Sequence, residues 1–420
     1  MGASLALKFQ GVVLIILLGR LVGVEWYGAW TLTFAITSYL TVIATLSLPN
    51  AMVRFFAGEM ETNTPDIFLF LFSIVALLSF GLAFLAMLFA DQFSQIFLKS
   101  EIYGEFVRWG TLLVPMSALL GMQQDYYRAH DNLKGFSLIS GGVPILQLIA
   151  VSVVLVLVPD ALRALQSYLV VGFAVELILL ISVVRQVNRA WIYTRANTAR
   201  LKRYLKYSLP LIPSVFSAQI SSNGDRFVVG YFLGAQYVGM YGAAYALASL
   251  LMLFNPPITN VLFPKISKLY TERKYTAIHK YINVGMALFA GIGMVITFGF
   301  VILGRFLLGL LLKDSAQVPG SDSLLMVTLI VSGSLIIYGV ARIYSLYILI
   351  YEKTMAWFTI YLGSAILNLV LNFVLIPSYG LGGAAVSTLV TYLLIAAAIF
   401  LYVSRRDVLG LRRAPMPHPF

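Results

Sequence analysis

Long apolar stretches follow one another along nearly the whole 420-residue chain, separated by short polar segments. A helix needs roughly 20 mostly apolar residues to cross the hydrocarbon core of a bilayer. Twelve stretches meet this requirement, at about residues 4–24, 28–53, 66–90, 105–129, 136–158, 161–184, 207–233, 237–262, 281–304, 323–350, 354–377 and 380–403. The pattern predicts an all-α polytopic membrane protein with about 12 transmembrane helices.

A glycine-punctuated segment occurs twice, about 211 residues apart. Three glycines of the first copy are matched in register in the second: Gly19, Gly23 and Gly28 by Gly230, Gly234 and Gly239. Glycines four residues apart share a helix face and admit a neighbouring backbone, so helix packing is the first interpretation of each copy. The repetition itself is typical of transporters built from two similar halves.

Six predicted spans per half is an even number, so the halves are expected to be parallel repeats. We predict an N-terminal six-helix lobe at 1–184, a basic cytoplasmic linker at 185–206, a C-terminal six-helix lobe at 207–403 and a cytoplasmic tail at 404–420. The predicted connections are short. None offers room for a catalytic domain.

The amino-acid composition supports a membrane protein and argues against a metal site. The chain is 60% hydrophobic and only 11% charged, with a mean hydropathy of +0.89, whereas soluble domains are about a quarter charged. It has no cysteine and three scattered histidines, so neither a structural nor a catalytic metal is expected. No cleavable signal is expected either, because the first apolar run continues into the repeat.

The net charge of +12 is explained by where the basic residues lie. They crowd residues 185–206, 265–280 and 405–413, which share one side of the membrane if the N-terminus is cytoplasmic. This is the positive-inside bias of short-looped membrane proteins, and it predicts that both termini are cytoplasmic. The same residues attract the anionic headgroups of the lipid bilayer. Nucleic-acid binding is not expected, because no basic and aromatic residues alternate outside the spans.

Several arginines fall within the predicted spans, where a charge costs at least about 2.5 kcal/mol unless it faces a cavity or a partner. Arg226 lies in the seventh span and Arg342 in the tenth, while Arg20 and Arg54 lie closer to span ends. The last two have an alternative interpretation, in which the side chains extend to the headgroups. Together the four predict an electropositive cavity that binds a diphosphate through guanidinium groups.

Three acidic residues in the spans are candidates for a coupling ion, either H⁺ or Na⁺: Glu176, Asp125 and Asp225. Glu176 is the first choice, although a salt bridge to an arginine of another span is an equal alternative. Asp125 lies three residues before Arg128, so the two are expected to pair on one helix face. Asp225 and its neighbour Arg226 point in different directions on a helix, which weakens mutual neutralisation.

Two further motifs bear on helix shape. The eighth span contains Asn255, Pro256, Pro257 and Asn260, which predict a bend, either lining a cavity or serving packing alone. The segment 380–385 fits a dinucleotide-binding glycine pattern, but it opens a membrane span and lacks a surrounding βαβ unit. We interpret it as a tight turn with close helix packing.

Four segments carry a resemblance to a known family and sample both halves of the chain. They read RLVGVEWYG at 20–28, MVRFFAG at 52–58, DRFVVGYFLGAQYVGMY at 225–241 and NLVLNFVLIPSYGLGGAAVSTLVTY at 368–392. In these segments the chain resembles the polysaccharide exporters, including O-antigen flippases, of the MOP superfamily, which also contains lipid II flippases and MATE multidrug exporters.

The resemblance implies a flippase of the cell inner membrane. Its expected substrate is a polyprenyl-diphosphate-linked oligosaccharide, carried across by alternating access between two six-helix lobes. Arg20, Arg54 and Arg226 match arginines of the family pattern, whereas Arg342 rests on its charge alone. A polysaccharide polymerase and a chain-length regulator are further partner candidates. No cofactor is implied, and the protein is not expected to be an enzyme.

Two alternative functions stay open. A MATE-like exporter of organic cations would favour a net acidic cavity, which the excess of arginines argues against. A membrane-embedded polysaccharide polymerase or glycosyltransferase would need a sizeable outer loop with acid, base or metal-binding residues, and the predicted outer loops are short.

Overall fold

The computed structural model describes residues 2–58, 64–185, 195–312, 321–351 and 353–405. These residues are helical apart from short turns, and no strand occurs among them, which confirms the all-α fold class. Helices of the first half are α1 Gly2–Leu21, α2 Val24–Thr45, α3 Leu48–Gly58, α4 Thr64–Leu88, α5 Ala90–Phe93, α6 Gly104–Gly110, α7 Leu113–Ala129, α8 Leu133–Ser137, α9 Val143–Leu157 and α10 Ala161–Val184. Those that follow are α11 Arg195–Ser208, α12 Ile212–Leu233, α13 Ala235–Ser249, α14 Asn255–Thr271, α15 Tyr275–Leu311, α16 Ser321–Tyr344, α17 Leu346–Ile350 and α18 Thr354–Arg405.

Each of the twelve predicted spans falls on helix, but the helices are divided differently. Within the described residues, eight helical stretches are long and apolar enough to cross a membrane, judged by length and composition. One of them, Met355–Ser404, joins the last two predicted spans. The predicted spans 4–24, 105–129 and 207–233 are not among the eight. The last of these is α12, whose apolar run is interrupted by polar residues from Ser221 to Arg226.

Breaks inside predicted spans have local backbone causes. The second span is two helices, because Leu46 and Ser47 adopt positive φ angles of 50° and 53° between α2 and α3. The eleventh and twelfth spans meet inside α18 at Gly380, where φ is 56° and ψ is −135°. The segment 380–385 is therefore a helix junction, as interpreted from its sequence.

The predicted bend of the eighth span is confirmed. A 3₁₀ turn, Leu250–Phe254, separates α13 from α14, and Pro256 and Pro257 follow at the start of α14. The fully buried Asn255 donates through Nδ2 to the carbonyl oxygen of Gly339 at 3.0 Å. This hydrogen bond ties the break to α16.

The described residues form two compact units. One runs to Gly242 and includes Leu311 and Leu312; the other takes in residues 243–310 and the described residues from 321 onward. The first unit has a core that includes Phe68, Met122 and Tyr204. Tyr204 belongs to α11, so the basic linker contributes a helix to this core. Residues 186–194 of the linker and 406–420 of the tail lie outside the described residues, and the predicted lobe boundaries stay a prediction.

The repeated glycines take equivalent positions in both copies. Gly23 and Gly234 follow the ends of α1 and α12 and have φ angles of 132° and 90°. They therefore form turns, and the expectation that they share a helix face with Gly19 and Gly230 is wrong. Gly19 and Gly230 do admit a neighbouring backbone. A methyl group on Gly19 would lie 2.7 Å from the carbonyl oxygen of Leu311, and one on Gly230 would lie 2.6 Å from the carbonyl oxygen of Phe97.

Candidate functional site

A group of polar side chains on α12 holds two of the predicted site residues. Arg226 is half-buried, and its Nη1 donates to Oδ1 of Asn223 at 2.7 Å. Asp225 is 7% exposed and accepts a hydrogen bond from the Tyr241 hydroxyl of α13 at 2.6 Å. Its Oδ1 also accepts from the backbone N–H of Arg226 at 2.9 Å. We name Asn223, Asp225, Arg226 and Tyr241 the α12 polar cluster.

Tyrosines of α2 border this cluster. Asp225 and Arg226 both interact electrostatically with the Tyr39 hydroxyl, and Arg226 interacts likewise with Tyr27. Tyr39 donates to the carbonyl oxygen of Gln219 on α12 at 3.0 Å. Its ring also packs edge-on against Phe227, with the centroids 5.4 Å apart. The half-buried guanidinium therefore lies beside hydroxyl groups and an amide, a setting in which phosphate oxygens are readily bound.

The carboxylate and the guanidinium of this pair are held by different neighbours. Asp225 is fixed by the Tyr241 hydroxyl and Arg226 by the Asn223 amide. This agrees with the expectation that adjacent side chains on a helix point in different directions. The hydrogen bond from Arg226 to the neutral Asn223 amide orients the guanidinium.

The other predicted arginines lie elsewhere. Arg20 is exposed on α1. Arg54 is exposed on α3, with its guanidinium 4.6 Å from the centroid of the Tyr207 ring, where a cation–π interaction forms. Arg342 is exposed on α16 in the second unit and interacts electrostatically with Tyr361. Their role in binding a diphosphate stays a prediction.

Two of the predicted coupling residues have contrasting surroundings. Asp125 forms the expected ion pair with Arg128, with Nη1 and Oδ1 3.7 Å apart. Glu176 is 7% exposed, and its Oε2 has no hydrogen-bond partner. The alternative salt bridge of Glu176 to an arginine does not occur among the described ion pairs. Within the described residues, no group of three or more His, Asp or Glu side chains is placed to hold a metal.

Three residues of these sites were not predicted from the sequence. Asn223 lies three residues before Arg226, and this helical spacing was a usable signal. Tyr241 is the last residue of the family segment at 225–241, and nothing in that segment marks it as a partner of Asp225. Gln123, fully buried on α7, donates to the main-chain oxygen of Glu176 at 3.1 Å. No local pattern marks Tyr241 or Gln123, because both contacts join different helices.

Comparison with known proteins assigns a family to most of the chain. The model of the family described as "Polysaccharide biosynthesis protein" matches residues 2–270. A probable low-salt glycan biosynthesis flippase of Haloferax volcanii is 27% identical over 198 residues, which are 47% of this chain and 40% of that protein. The chain thus matches less than half the length of this curated relative.

Solved structures share the fold at low sequence identity. The lipid II flippase MurJ in an inward closed conformation has a TM-score of 0.77 at 15% identity, covering 97% of this chain and 88% of that one. An inward-facing multidrug resistance MATE transporter of the MOP superfamily has a TM-score of 0.74 at 16% identity, covering 97% and 96%. With the apolar helices, these similarities show a multi-pass membrane protein with the fold of that superfamily.

Proposed function

We propose, given that the chain belongs to the polysaccharide biosynthesis protein family, that it is a flippase for a lipid-linked glycan. The proposed substrate is a polyprenyl diphosphate carrying the oligosaccharide repeat of O-antigen or another surface polysaccharide. The name of the Haloferax relative, a probable glycan biosynthesis flippase, supports the class of substrate. The α12 polar cluster supplies the chemistry for the charged part of this substrate.

The half-buried Arg226 is the observation that carries the proposal. A diphosphate that crosses a bilayer loses much of its hydration, and a guanidinium replaces that water with charge-assisted hydrogen bonds. Asn223 orients Arg226 through its amide oxygen, and Tyr241 holds the neighbouring carboxylate. Arg20, Arg54 and Arg342 are proposed to bind the same diphosphate at other stages of transport.

The transport step is proposed to be alternating access, with the sugars in a wet cavity and the polyprenyl chain in lipid. We place the protein in the cell inner membrane with both termini cytoplasmic, on the strength of the basic segments at 195–206 and 265–280. A polysaccharide polymerase and a chain-length regulator would then act on the glycan after its delivery to the outer leaflet.

Substitutions at Arg226 test the proposal. Purified protein in proteoliposomes is given a fluorescent polyprenyl-diphosphate oligosaccharide, and its appearance in the other leaflet is measured. Arg226→Ala should lower transport roughly tenfold or more, because hydrogen bonds to charged groups contribute about 1.5–3 kcal/mol. Arg226→Lys keeps the charge but loses the planar fork, so an intermediate rate is expected.

The matched control is Arg163→Ala, since Arg163 forms an exposed ion pair with Asp160 at 3.8 Å. That variant should transport at the wild-type rate. Full activity of Arg226→Ala would remove Arg226 from the site. Export of a cationic dye by the same proteoliposomes, with no movement of the lipid-linked glycan, would replace the proposal with a MATE-like function.

A further inference from the structure

A cleft with a volume of about 320 Å³ lies in the first unit, and none of its lining residues belongs to the α12 polar cluster. Three segments line it: the turn between α1 and α2, the 3₁₀ turn Glu101–Tyr103 with the start of α6, and the turn that leads into α10. Ligand pockets in proteins have volumes of about 300–1,000 Å³. The cleft is therefore large enough for a small ligand group, and its lining combines apolar, aromatic and acidic side chains.

Trp26 and Phe106 form the aromatic part of this lining. Trp26 follows the turn at Gly23, whose φ of 132° precedes the start of α2. The half-buried indole contacts the ring of Tyr103 with centroids 4.9 Å apart and planes at 79°, and the ring of Phe106 with centroids 5.9 Å apart and planes at 67°. These edge-to-face contacts hold the indole in one orientation and leave part of it accessible.

Two carboxylates complete the lining, and no basic residue is among its described members. Asp160 caps α10, because its Oδ1 accepts from the backbone N–H groups of Leu162 at 2.7 Å and Arg163 at 3.2 Å. Its Oδ2 pairs with the exposed Arg163 side chain at 3.8 Å. Glu105 is exposed on α6, and its carboxylate takes part in no ion pair of the described residues. Glu105 therefore offers both oxygens to a ligand that donates hydrogen bonds.

An aromatic ring beside an accepting carboxylate suits the chemistry of a sugar. A pyranose carries hydroxyl donors around its rim, and their hydrogen bonds to a carboxylate are strong because the acceptor is charged. The C–H groups on the faces of the sugar ring pack on the negative face of an aromatic ring. A diphosphate does not fit, because Glu105 and Asp160 repel its charge. The cleft thus matches the sugar part of a lipid-linked glycan.

The position of the cleft within the first unit indicates when a glycan reaches it. α10 begins at the cleft with Ala161 and runs for 24 residues, or about 36 Å. Val183, near the other end of α10, shares a core with Tyr204 of the basic helix α11. The cleft and α11 therefore lie at opposite ends of α10. In the proposed orientation α11 is cytoplasmic, so the cleft is on the extracytoplasmic side, where the glycan is delivered.

We propose that this cleft binds a sugar unit of the glycan on the extracytoplasmic side. The indole of Trp26 stacks on the face of the sugar ring, and the Glu105 carboxylate accepts from its hydroxyl groups. Binding there favours the delivered state of the glycan over its return to the cytoplasmic side. The choice of a sugar rests on the proposed function, whereas the presence of a ligand site in the cleft does not.

Saturation-transfer NMR of the protein in lipid nanodiscs tests the binding of sugars. The probes are the methyl glycosides of glucose, galactose, rhamnose and N-acetylglucosamine, and nanodiscs are used because detergents with sugar headgroups would compete. At least one glycoside should receive saturation from the wild type. Glu105→Lys should weaken its binding about tenfold or more, as the loss of a hydrogen bond to a charged group does. Trp26→Phe keeps an aromatic ring and should bind more weakly than the wild type, and Trp26→Ala should not bind.

Glu101→Lys and Trp109→Ala are the matched controls, because both residues are exposed near Glu105 and neither lines the cleft. Both variants should bind the glycosides as the wild type does. A wild type that transfers saturation to none of the four glycosides, or equal binding by Glu105→Lys, would overturn the site. Binding of tetramethylammonium in place of the glycosides, lost in Glu105→Lys, would replace the sugar with an organic cation.

Transport measurements separate this site from the proposed function. In proteoliposomes, the rate for the polyprenyl diphosphate that carries the oligosaccharide is divided by the rate for the same lipid without sugar. Glu105→Lys should lower this ratio by about fivefold or more, a typical coupling between two sites. An equal loss with both substrates would mean that Glu105 acts on the structure and not on the sugar. If the wild type moves neither substrate, the proposed function fails, while the NMR result still decides whether the cleft binds sugars.

Discussion

Gly28 on α2 and Gly239 on α13, which hold the same position in the two copies of the repeat, lie backbone against backbone. A methyl group on Gly28 would collide with the carbonyl oxygen of Ala235 and lie 2.9 Å from the Gly239 nitrogen. A methyl group on Gly239 would collide with the carbonyl oxygen of Val24 and lie 3.1 Å from the Gly28 nitrogen. The contact is reciprocal, so the repeat preserves glycine at both positions for one shared purpose, the close approach of two helices.

We expect Gly28→Ala and Gly239→Ala each to destabilise the protein. The added methyl group meets main-chain atoms that cannot rotate away, and overpacking of this kind costs about 1–3 kcal/mol. Thermal unfolding in detergent should show a lower midpoint for both variants. Gly81→Ala on α4 is the control, because a methyl group there meets no atom within 4 Å. That change should raise stability slightly through helix propensity. Equal midpoints for all three variants would contradict the close contact.

The Tyr241 hydroxyl is expected to stabilise the buried Asp225 carboxylate. Tyr241→Phe removes the 2.6 Å hydrogen bond and keeps the ring. The expected loss is about 1.5–3 kcal/mol, as for hydrogen bonds to charged groups. A double-mutant cycle with Asp225→Asn, measured by denaturant unfolding, should show a favourable coupling between the two residues. Tyr379→Phe, at a tyrosine that is 71% exposed, should leave stability unchanged. A coupling near zero would show that the bond contributes nothing.

The two asparagines of the family segment at 368–392, Asn368 and Asn372, are expected to act structurally. Asn372 is fully buried, accepts from the Ser387 hydroxyl and donates through Nδ2 to Asn368 Oδ1 at 3.0 Å. Asn368 in turn donates to Thr391 Oγ1 at 3.2 Å. These bonds join the two segments of α18 on either side of Gly380. Asn372→Ala leaves buried polar groups without partners and should cost about 1–3 kcal/mol.

The exposed Asn260 of α14 provides the comparison for Asn372. Asn260→Ala should leave the unfolding midpoint unchanged, since its side chain is accessible. If Asn372→Ala unfolds at the same temperature as Asn260→Ala, the polar bonds inside α18 do not hold its two segments together.

The length and polarity of the apolar stretches predicted which residues are helical far better than they predicted where the helices end. The apolar stretches had to be helical because the bilayer core offers no water to hydrogen-bond the backbone N–H and C=O groups, which a helix pairs internally. The break at Leu46 and Ser47 is followed by Pro49 in the first turn of α3, a local signal for a helix start that the sequence analysis did not use. The double proline at 256–257 is a local signal, and the bend it predicted is present.

The candidate sites show the same limit. Arg226 and Glu176 were found because a charge within an apolar run is conspicuous in any sequence. Their neighbours Tyr241 and Gln123 were missed, since tyrosine and glutamine are unremarkable on a helix until another helix packs against it. Pairing across helices is set by tertiary packing, which one sequence read along its length does not reveal.

The exposed turn between α14 and α15 is expected to make a pH-dependent contribution to the stability of the protein. Lys274 Nζ lies 2.8 Å from Glu272 Oε2. The hydrogen bond and charge of Lys274, together with the more distant charge of Lys268, lower the pKa of Glu272. In turn, the hydrogen bond and charge of Glu272 raise the pKa of Lys274. A lowered carboxyl pKa contributes stability above the unfolded pKa, and that contribution is lost as pH falls through the folded pKa. The raised pKa of Lys274 sets the upper end of the window, where the contribution is lost as pH rises.

Lys274→Gln should therefore lower the unfolding midpoint slightly at about pH 7, where both partners are charged in the wild type. The difference between the two proteins should decrease as pH falls through the lowered pKa of Glu272, because the carboxyl group then becomes protonated in both. Lys274→Arg keeps the charge and should follow the wild type across the range. The effect is small because the pair is exposed, so unfolding should be compared at low ionic strength and again in about 1 M salt, where screening removes it. A difference that persists unchanged at low pH would mean that Lys274 acts through packing and not through Glu272.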